Sequence, residues 1–314
     1  MRELLEKKYT PVEIDGITEL AVSNPRRLVD SAEDFYNNQV SRAAAMIRDR
    51  RECKFVLLCG PSASGKTTTA HKLKHRLIGL GVGARVISMD NFFMGIEKYP
   101  KLPNGKPDME SVEALDLELL NICFEKLQKQ GEAALPTFDF AAQKRCLESH
   151  HVSLSQGDVL IMEGIHALNP QVLSNIPGQN IFRVYVSVRS KFINGDEVIL
   201  TPKDIRLTRR MVRDHKFRGW PPHSTLEQWE HVLEGERENI NPYRDDVDLK
   251  MDNTIDYEVC VWHGLLTGLL KDRKKYEMYP EIQRILQGLL RFPRLDYNLI
   301  PCNSLLREFI GEEI

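Results

Sequence analysis

The chain alternates short, largely apolar runs with longer stretches in which apolar residues recur every three or four positions. Runs of the first kind fall at Phe55-Val56-Leu57-Leu58-Cys59, at 84–89, at 135–140, at 159–162 and at 182–188, and each predicts a buried strand. A further strand is predicted at 255–259. Between them the period lengthens. Ser31 reads as an N-cap with Glu33 and Asp34 in the first turn, opening a helix to about residue 51 with Phe35, Val40, Ala44 and Ile47 as its apolar stripe. Helices are also predicted at 66–80, at 111–130 (Leu115, Leu119, Ile122 and Leu127 on one side), from Pro202 onward, at 226–239, and in the chain up to about residue 291. The segment 92–110 holds three prolines and two glycines and reads as loop, while residues 1–30 show no clear period. Strands that are continuous apolar runs, alternating with helices, predict an α/β fold with a parallel sheet covered on both faces.

Gly60-Pro61-Ser62-Ala63-Ser64-Gly65-Lys66-Thr67 stands between the first such strand and the first such helix. It matches G-x-x-x-x-G-K-[ST] in full and in the required strand–turn–helix context. Glycines let backbone wrap closely around an anion, and successive N–H groups at a helix N-terminus then face phosphates. Lys66 is the expected contact to the β- and γ-phosphoryl oxygens, and Thr67 the expected Mg²⁺ ligand. Gly60, Ser62, Ala63, Ser64, Gly65, Lys66, Thr67 and Thr68 are thus the candidate nucleotide-binding residues, with ATP and Mg²⁺ the expected cofactors. The motif does not specify the reaction. No N-K-x-D box of a guanine reader occurs, and the 159–162 strand ends in Glu163-Gly164 rather than Asp-Glu. Glu163 can orient Mg²⁺ through water. Asp90 follows the second strand, and ligands of a doubly wound sheet lie beyond the carboxyl ends of its strands. That places a carboxylate beside the phosphates, able to take a proton from an attacking hydroxyl. Arg206, Arg209, Arg210 and Arg213 are spaced i, i+3, i+4, i+7, one face of a helix, with Arg218 beyond; guanidinium forks suit phosphoryl oxygens, as in a lid over ATP.

Composition narrows the partners. The 314 residues carry a net charge of −2, are 42% hydrophobic and 28% charged, and so give no global field for nucleic acid or an anionic membrane. No run approaches the ~20 apolar residues of a membrane span, and the first sixteen residues lack the apolar core of a leader. The six cysteines include no C-x-x-C pair and read as reduced thiols of a cytoplasmic protein. A homo-oligomer is compatible with the sequence.

Together these motifs resemble the uridine kinase and phosphoribulokinase family of P-loop kinases from about residue 55 to 257. Its anchors are G-P-S-A-S-G-K-T at 60–67, S-M-D-N-F-F at 88–93, E-A-L-D-L-E-L-L at 113–120, P-T-F-D-F at 136–140, L-I-M-E-G-I-H-A-L at 160–168 and D-I-R-L-T-R-R-M-V-R-D at 204–214. The flavour is that of bacterial uridine kinase-like proteins, some of which carry an N-terminal region related to the TGS module, and 303–311 looks like their C-terminus. The resemblance implies a P-loop NTPase-type sheet at 51–264, a helical lid at about 190–240, and helical extensions at 1–50 and 265–314. It implies Asp90 as catalytic base, Glu163 as the magnesium-associated carboxylate, Lys66, Arg206, Arg209 and Arg210 around the phosphates, and Glu110 near the position that holds ribose hydroxyls. Uridine kinases have tyrosines where this chain has Phe93 and Phe138 and a base-reading histidine where it has Gln143. The transfer apparatus is intact while the uridine reader is altered. The expected activity is ATP- and Mg²⁺-dependent phosphorylation of a small-molecule hydroxyl, foremost the 5′-hydroxyl of uridine or another nucleoside. The alternatives are a sugar phosphate, a pantothenate-like alcohol, or an ATP-sensing module without catalysis.

Overall fold

A computed structural model of the chain describes residues 10–140, 142–173 and 178–312. The first part of the segment read as lacking a leader, residues 1–9, lies outside them. In chain order the elements are β1 (Thr10–Glu13), α1 (Ile14–Ser23), α2 (Pro25–Asp49), β2 (Phe55–Cys59), α3 (Lys66–Gly79), β3 (Ala84–Ser88), α4 (Leu117–Gln130), β4 (Glu132–Asp139), β5 (Lys144–Ser153), β6 (Val159–Glu163), α5 (Pro170–Leu173), β7 (Ile181–Ser187), β8 (Ser190–Asn194), β9 (Glu197–Leu200), α6 (Pro202–Arg218), α7 (Pro222–Asn239), β10 (Leu249–Asp252), α8 (Glu258–Leu269), α9 (Pro280–Leu289) and α10 (Arg307–Ile310). Helices cover about half the chain around a parallel sheet, as the sequence predicts.

The central sheet has the order β10-β7-β2-β6-β3, every pair parallel. β2 is buried along its whole length and its side chains alternate between two cores. Val56 and Leu58 enter the core beneath α2, α3, α6 and α8; Phe55, Leu57 and Cys59 enter the one beneath α4 and β4. The first of these cores runs from Ile14 to Ile310, so both ends of the described chain are packed onto the sheet. A small second sheet, β1-β8-β9, and the β4–β5 antiparallel hairpin complete the strands.

Several boundaries differ from the sequence expectation, each for a local reason. α2 begins at Pro25, where Asn24 caps it by accepting from Arg27 N at 3.1 Å; Ser31 lies inside the helix. Its buried face is Leu28, Val29, Tyr36, Val40, Ala44 and Ile47, whereas Phe35 is 59% exposed. Residues 10–23, without visible period, form β1 and α1. α4 starts at Leu117, capped by Asp116; it buries Leu120, Cys123, Phe124 and Leu127 and leaves Ile122 exposed. The run at 135–140 belongs to a hairpin whose second strand was not expected, not to the parallel sheet. The strand expected at 255–259 is absent. The edge strand is β10, and Ile255, Tyr257 and Val259 are buried where the chain turns into α8. Three alternating apolar residues satisfy a strand pattern at a helix entrance equally well. All six cysteines are free, and among the described residues no helix is long and apolar enough to cross a membrane.

Candidate active site

The sheet order β2-β6-β3 brings three strand ends side by side. From β2 comes the Gly60–Thr67 loop, from β3 the turn carrying Asp90, and from β6 Glu163, which stands in register with both Leu58 and Ser88. Gly164 is required there because a Cβ would sit 2.8 Å from that of Met89.

The loop is held open as a cradle. Ala63 (φ +60°) and Gly65 (φ +83°) take the left-handed conformation that turns successive N–H groups to one side. Gly60 allows β7 to close in, since a Cβ would lie 2.1 Å from Val186 O. From behind, Asn253 Nδ2 donates to Ser64 O at 2.9 Å, Arg206 Nε to Ser62 O at 3.1 Å, and Arg210 Nη1 to Ser62 Oγ at 2.7 Å. The buried Ser64 hydroxyl has no hydrogen-bond partner. Lys66 Nζ donates to Pro61 O at 3.2 Å, and Thr67 Oγ1 donates to Glu163 Oε1 at 3.2 Å. Both donors of Thr68 are engaged by Glu308 of α10.

Asp90, Lys66, Thr67, Glu163, Phe93, Glu110 and Gln143 line one cavity of roughly 430 Å³. Burial, then the charge of Asp90, pushes the Glu163 carboxyl up to about 7, so a cation beside it would be drawn in by two carboxylates that otherwise repel. Burial likewise raises Glu110. Glu110 is fixed by α7: Asn239 Nδ2 donates to Glu110 O at 3.0 Å, and a Cβ on Gly235 would come within 2.3 Å of the Glu110 Cβ. Gln143 sits at φ +51°, a backbone conformation that costs a non-glycine residue free energy and recurs at functional positions.

The arginine stripe divides. Capped by a Thr201–Asp204 box, α6 is buried on nearly every side. Arg206 pairs with Glu236 at 2.7 Å, and Arg209 pairs with Glu258 at 2.7 Å with neither side chain exposed. Arg209 is consumed by that pair, by Asn253 O and by the Phe309 ring, and does not line the cavity. Neither does Arg206. The arginines at the cavity are Arg210, Arg213 and Arg218, all within 3.4 Å of the buried Asp214. Burial alone would raise Asp214, but Arg213, Arg210 and Arg218 outweigh it and hold the carboxyl low. Asp214 alone does not balance three guanidinium groups; Glu110 also acts on Arg210, and Asp90 on Arg218.

Phe138, expected at the acceptor, instead packs behind Phe93, their ring centroids 5.9 Å apart. Phe140, with Arg218 over its ring at 5.0 Å, joins Phe93 at the cavity in its place. Sequence reasoning missed Phe140, His231 (bonded to Asp108 at 3.0 Å) and Glu308. Phe140 was within reach, being two residues along the same strand pattern. His231 and Glu308 arrive through tertiary packing and leave no local signal.

Residues 55–259 match the model of the phosphoribulokinase / uridine kinase family. Among curated relatives, the chain is 27% identical over 192 residues to a uridine kinase of Schizosaccharomyces pombe, covering 60% of this chain and 38% of that one. It is 30% identical over 172 residues to a uridine kinase of Lactobacillus helveticus, covering 55% of this chain and 72% of that one. A solved Silicibacter sp. TM1040 protein, provisionally described as a fructose transport system kinase, superposes with a TM-score of 0.51 at 22% identity, over 68% of this chain and 98% of that one, and so shares its fold.

Proposed function

The chain belongs to the phosphoribulokinase / uridine kinase family, and from that premise we propose that it transfers the γ-phosphoryl group of ATP to a hydroxyl of a small molecule, foremost the 5′-hydroxyl of uridine or another nucleoside. The observation that carries this reading is the convergence of Asp90, Lys66 and the Thr67–Glu163 pair on one cavity at the mouth of an anion cradle.

The residues fit the implied groups. The left-handed loop, with its N–H groups turned to one side, suits phosphoryl oxygens. Thr67 and Glu163 suit a hard cation such as Mg²⁺, whose remaining ligands would be nucleotide oxygens and water. Bound Mg²⁺ would neutralise charge on the transferring phosphoryl group. Asp90 accepts the proton of the attacking hydroxyl. Lys66 leaves the Pro61 carbonyl to face phosphoryl oxygens, and Arg210, Arg213 and Arg218 stabilise the negative charge that spreads over them. Arg206 and Arg209 act by holding the loop and α6 in place.

The acceptor end presents two apolar rings, Phe93 and Phe140, where a pyrimidine reader would be polar, beside the Gln143 amide. The three guanidinium groups gathered at Asp214 favour, as a second reading, an acceptor that already carries a phosphate, such as a sugar phosphate. Incubation with ATP, Mg²⁺ and a pool of nucleosides, sugar phosphates and alcohols, followed by mass spectrometry, distinguishes these. A nucleoside heavier by one phosphoryl group supports the first reading and a sugar bisphosphate the second. ATP binding with no acceptor product across the pool would sink both in favour of a nucleotide sensor.

A further inference from the structure

The last helical turn of the described chain reaches into the phosphate cradle. The Glu308 carboxylate accepts from Thr68 N at 3.0 Å and from Thr68 Oγ1 at 2.7 Å, through the same oxygen. Thr68 is in the first turn of α3, where free N–H groups face an anion in a loop of this kind. Glu308 also lines the cavity with Lys66, Thr67 and Glu163. Its neighbours anchor it there. Leu305 rests on the loop's left-handed glycine: a Cβ on Gly65 would sit 2.7 Å from Leu305 Cδ1. Leu305, Leu306, Phe309 and Ile310 are buried. Ser304 Oγ meets Tyr257 OH at 2.9 Å, and Lys216 Nζ holds Ile310 O at 2.6 Å. Tail and loop are therefore fitted to one another over several residues, with an acidic side chain delivered to the anion position.

We propose that residues 304–311 form an autoinhibitory strap in which Glu308 occupies a phosphate position of the nucleotide site and must be displaced when a nucleotide binds. This rests on the phosphoryl-transfer reading above. An N–H has one hydrogen to give, so Glu308 and a phosphoryl oxygen cannot both hold Thr68 N. A second carboxylate near Glu163 also opposes the arrival of a polyanion. Because the strap is packed on α6 and on the loop, nucleotide binding and tail docking oppose one another, and by linkage whatever draws the tail away raises nucleotide affinity by the same factor.

The test is calorimetric titration of ATP with Mg²⁺ into the full chain and its Glu308→Gln and Glu308→Ala variants. Both variants should bind at least about fivefold more tightly than the wild type, as expected when a competing charged hydrogen bond is removed. Affinity equal to or weaker than wild type in both variants overturns the strap and makes Glu308 a cap or a part of the nucleotide site. Should the variants fail to fold, hydrogen exchange of the wild type decides: faster exchange at 304–311 with ATP supports displacement, while unchanged or slower exchange overturns it. ATP binding of equal strength in all three proteins removes the strap alone. No ATP binding in any of them removes the kinase reading as well.

Discussion

Glu258→Gln should cost the protein far more stability than its distance from the reacting groups suggests. The Glu258 carboxylate and the Arg209 guanidinium share two 2.7 Å hydrogen bonds and are both fully buried. The same carboxylate accepts from Trp262 Nε1 at 3.0 Å and from Ile255 N at 2.9 Å. Glutamine keeps the shape but strands the guanidinium charge without a counter-ion, which costs about 3–5 kcal/mol for a buried pair. Against a typical stability of about 5–15 kcal/mol that is a large fraction. Urea unfolding followed by tryptophan fluorescence should show a lower midpoint at unchanged m-value. Arg209→Met should be similarly costly, and the double variant should fall short of the summed losses by about 2 kcal/mol, the coupling expected of side chains in contact. In the folded fraction, kcat should fall only modestly, because Arg209 meets the loop through one long bond, to Ala63 O at 3.4 Å. A Glu258→Gln loss below about 1 kcal/mol would mean that water screens the pair as it does at a surface. A collapse of kcat in stable Arg209→Met protein would return Arg209 to the reacting phosphates.

Asp90→Asn should lower kcat by about 10²–10⁴-fold, the range for losing a general base, with ATP affinity retained; wild-type turnover would strip Asp90 of its role. Burial, then Asp252 and Glu258, raises the Asp256 carboxyl to about 6. Its folded pKa lies above the unfolded value of about 3.9, so the native state binds the extra proton and loses stability as pH rises from about 4 to 6. Asp256→Asn should therefore stabilise by on the order of 1–2 kcal/mol at about pH 7 and by nothing below about pH 4. Thermal melts across that range check this, and a pH-independent difference refutes it. Gln143→Gly relieves the φ +51° strain, so Tm should hold or rise while acceptor KM increases; a fall in Tm with unaltered KM would place Gln143 outside the acceptor site.

The phosphate cradle was legible because its chemistry is local: eight consecutive residues fix the turn, the anion donors and the helix start. Asp90 and Glu163 followed from strand assignment, since a parallel sheet gathers its ligands at one edge. What could not be read was which strands are neighbours, and hence that β6 separates β2 from β3. Helical spacing puts Arg206, Arg209, Arg210 and Arg213 on one face of α6, and the first three reach the loop. It could not tell that Glu236 and Glu258 neutralise two of them, because those partners lie 30 and 49 residues away. Leu249–Asp252 escaped notice as an edge strand whose only apolar members are Leu249 and Met251, and Glu308 as a contact across 240 residues.

Among the described residues, β4 and β5 exchange ladder hydrogen bonds with each other alone, yet their tip supplies Phe140 and Gln143 to the cavity. Mutations there can reshape what is recognised without disturbing the register of the strands that hold Lys66, Asp90 and Glu163. The molecule is thus divided like a tool with a fixed handle and an interchangeable head, and a change of acceptor needs rewriting only at the head.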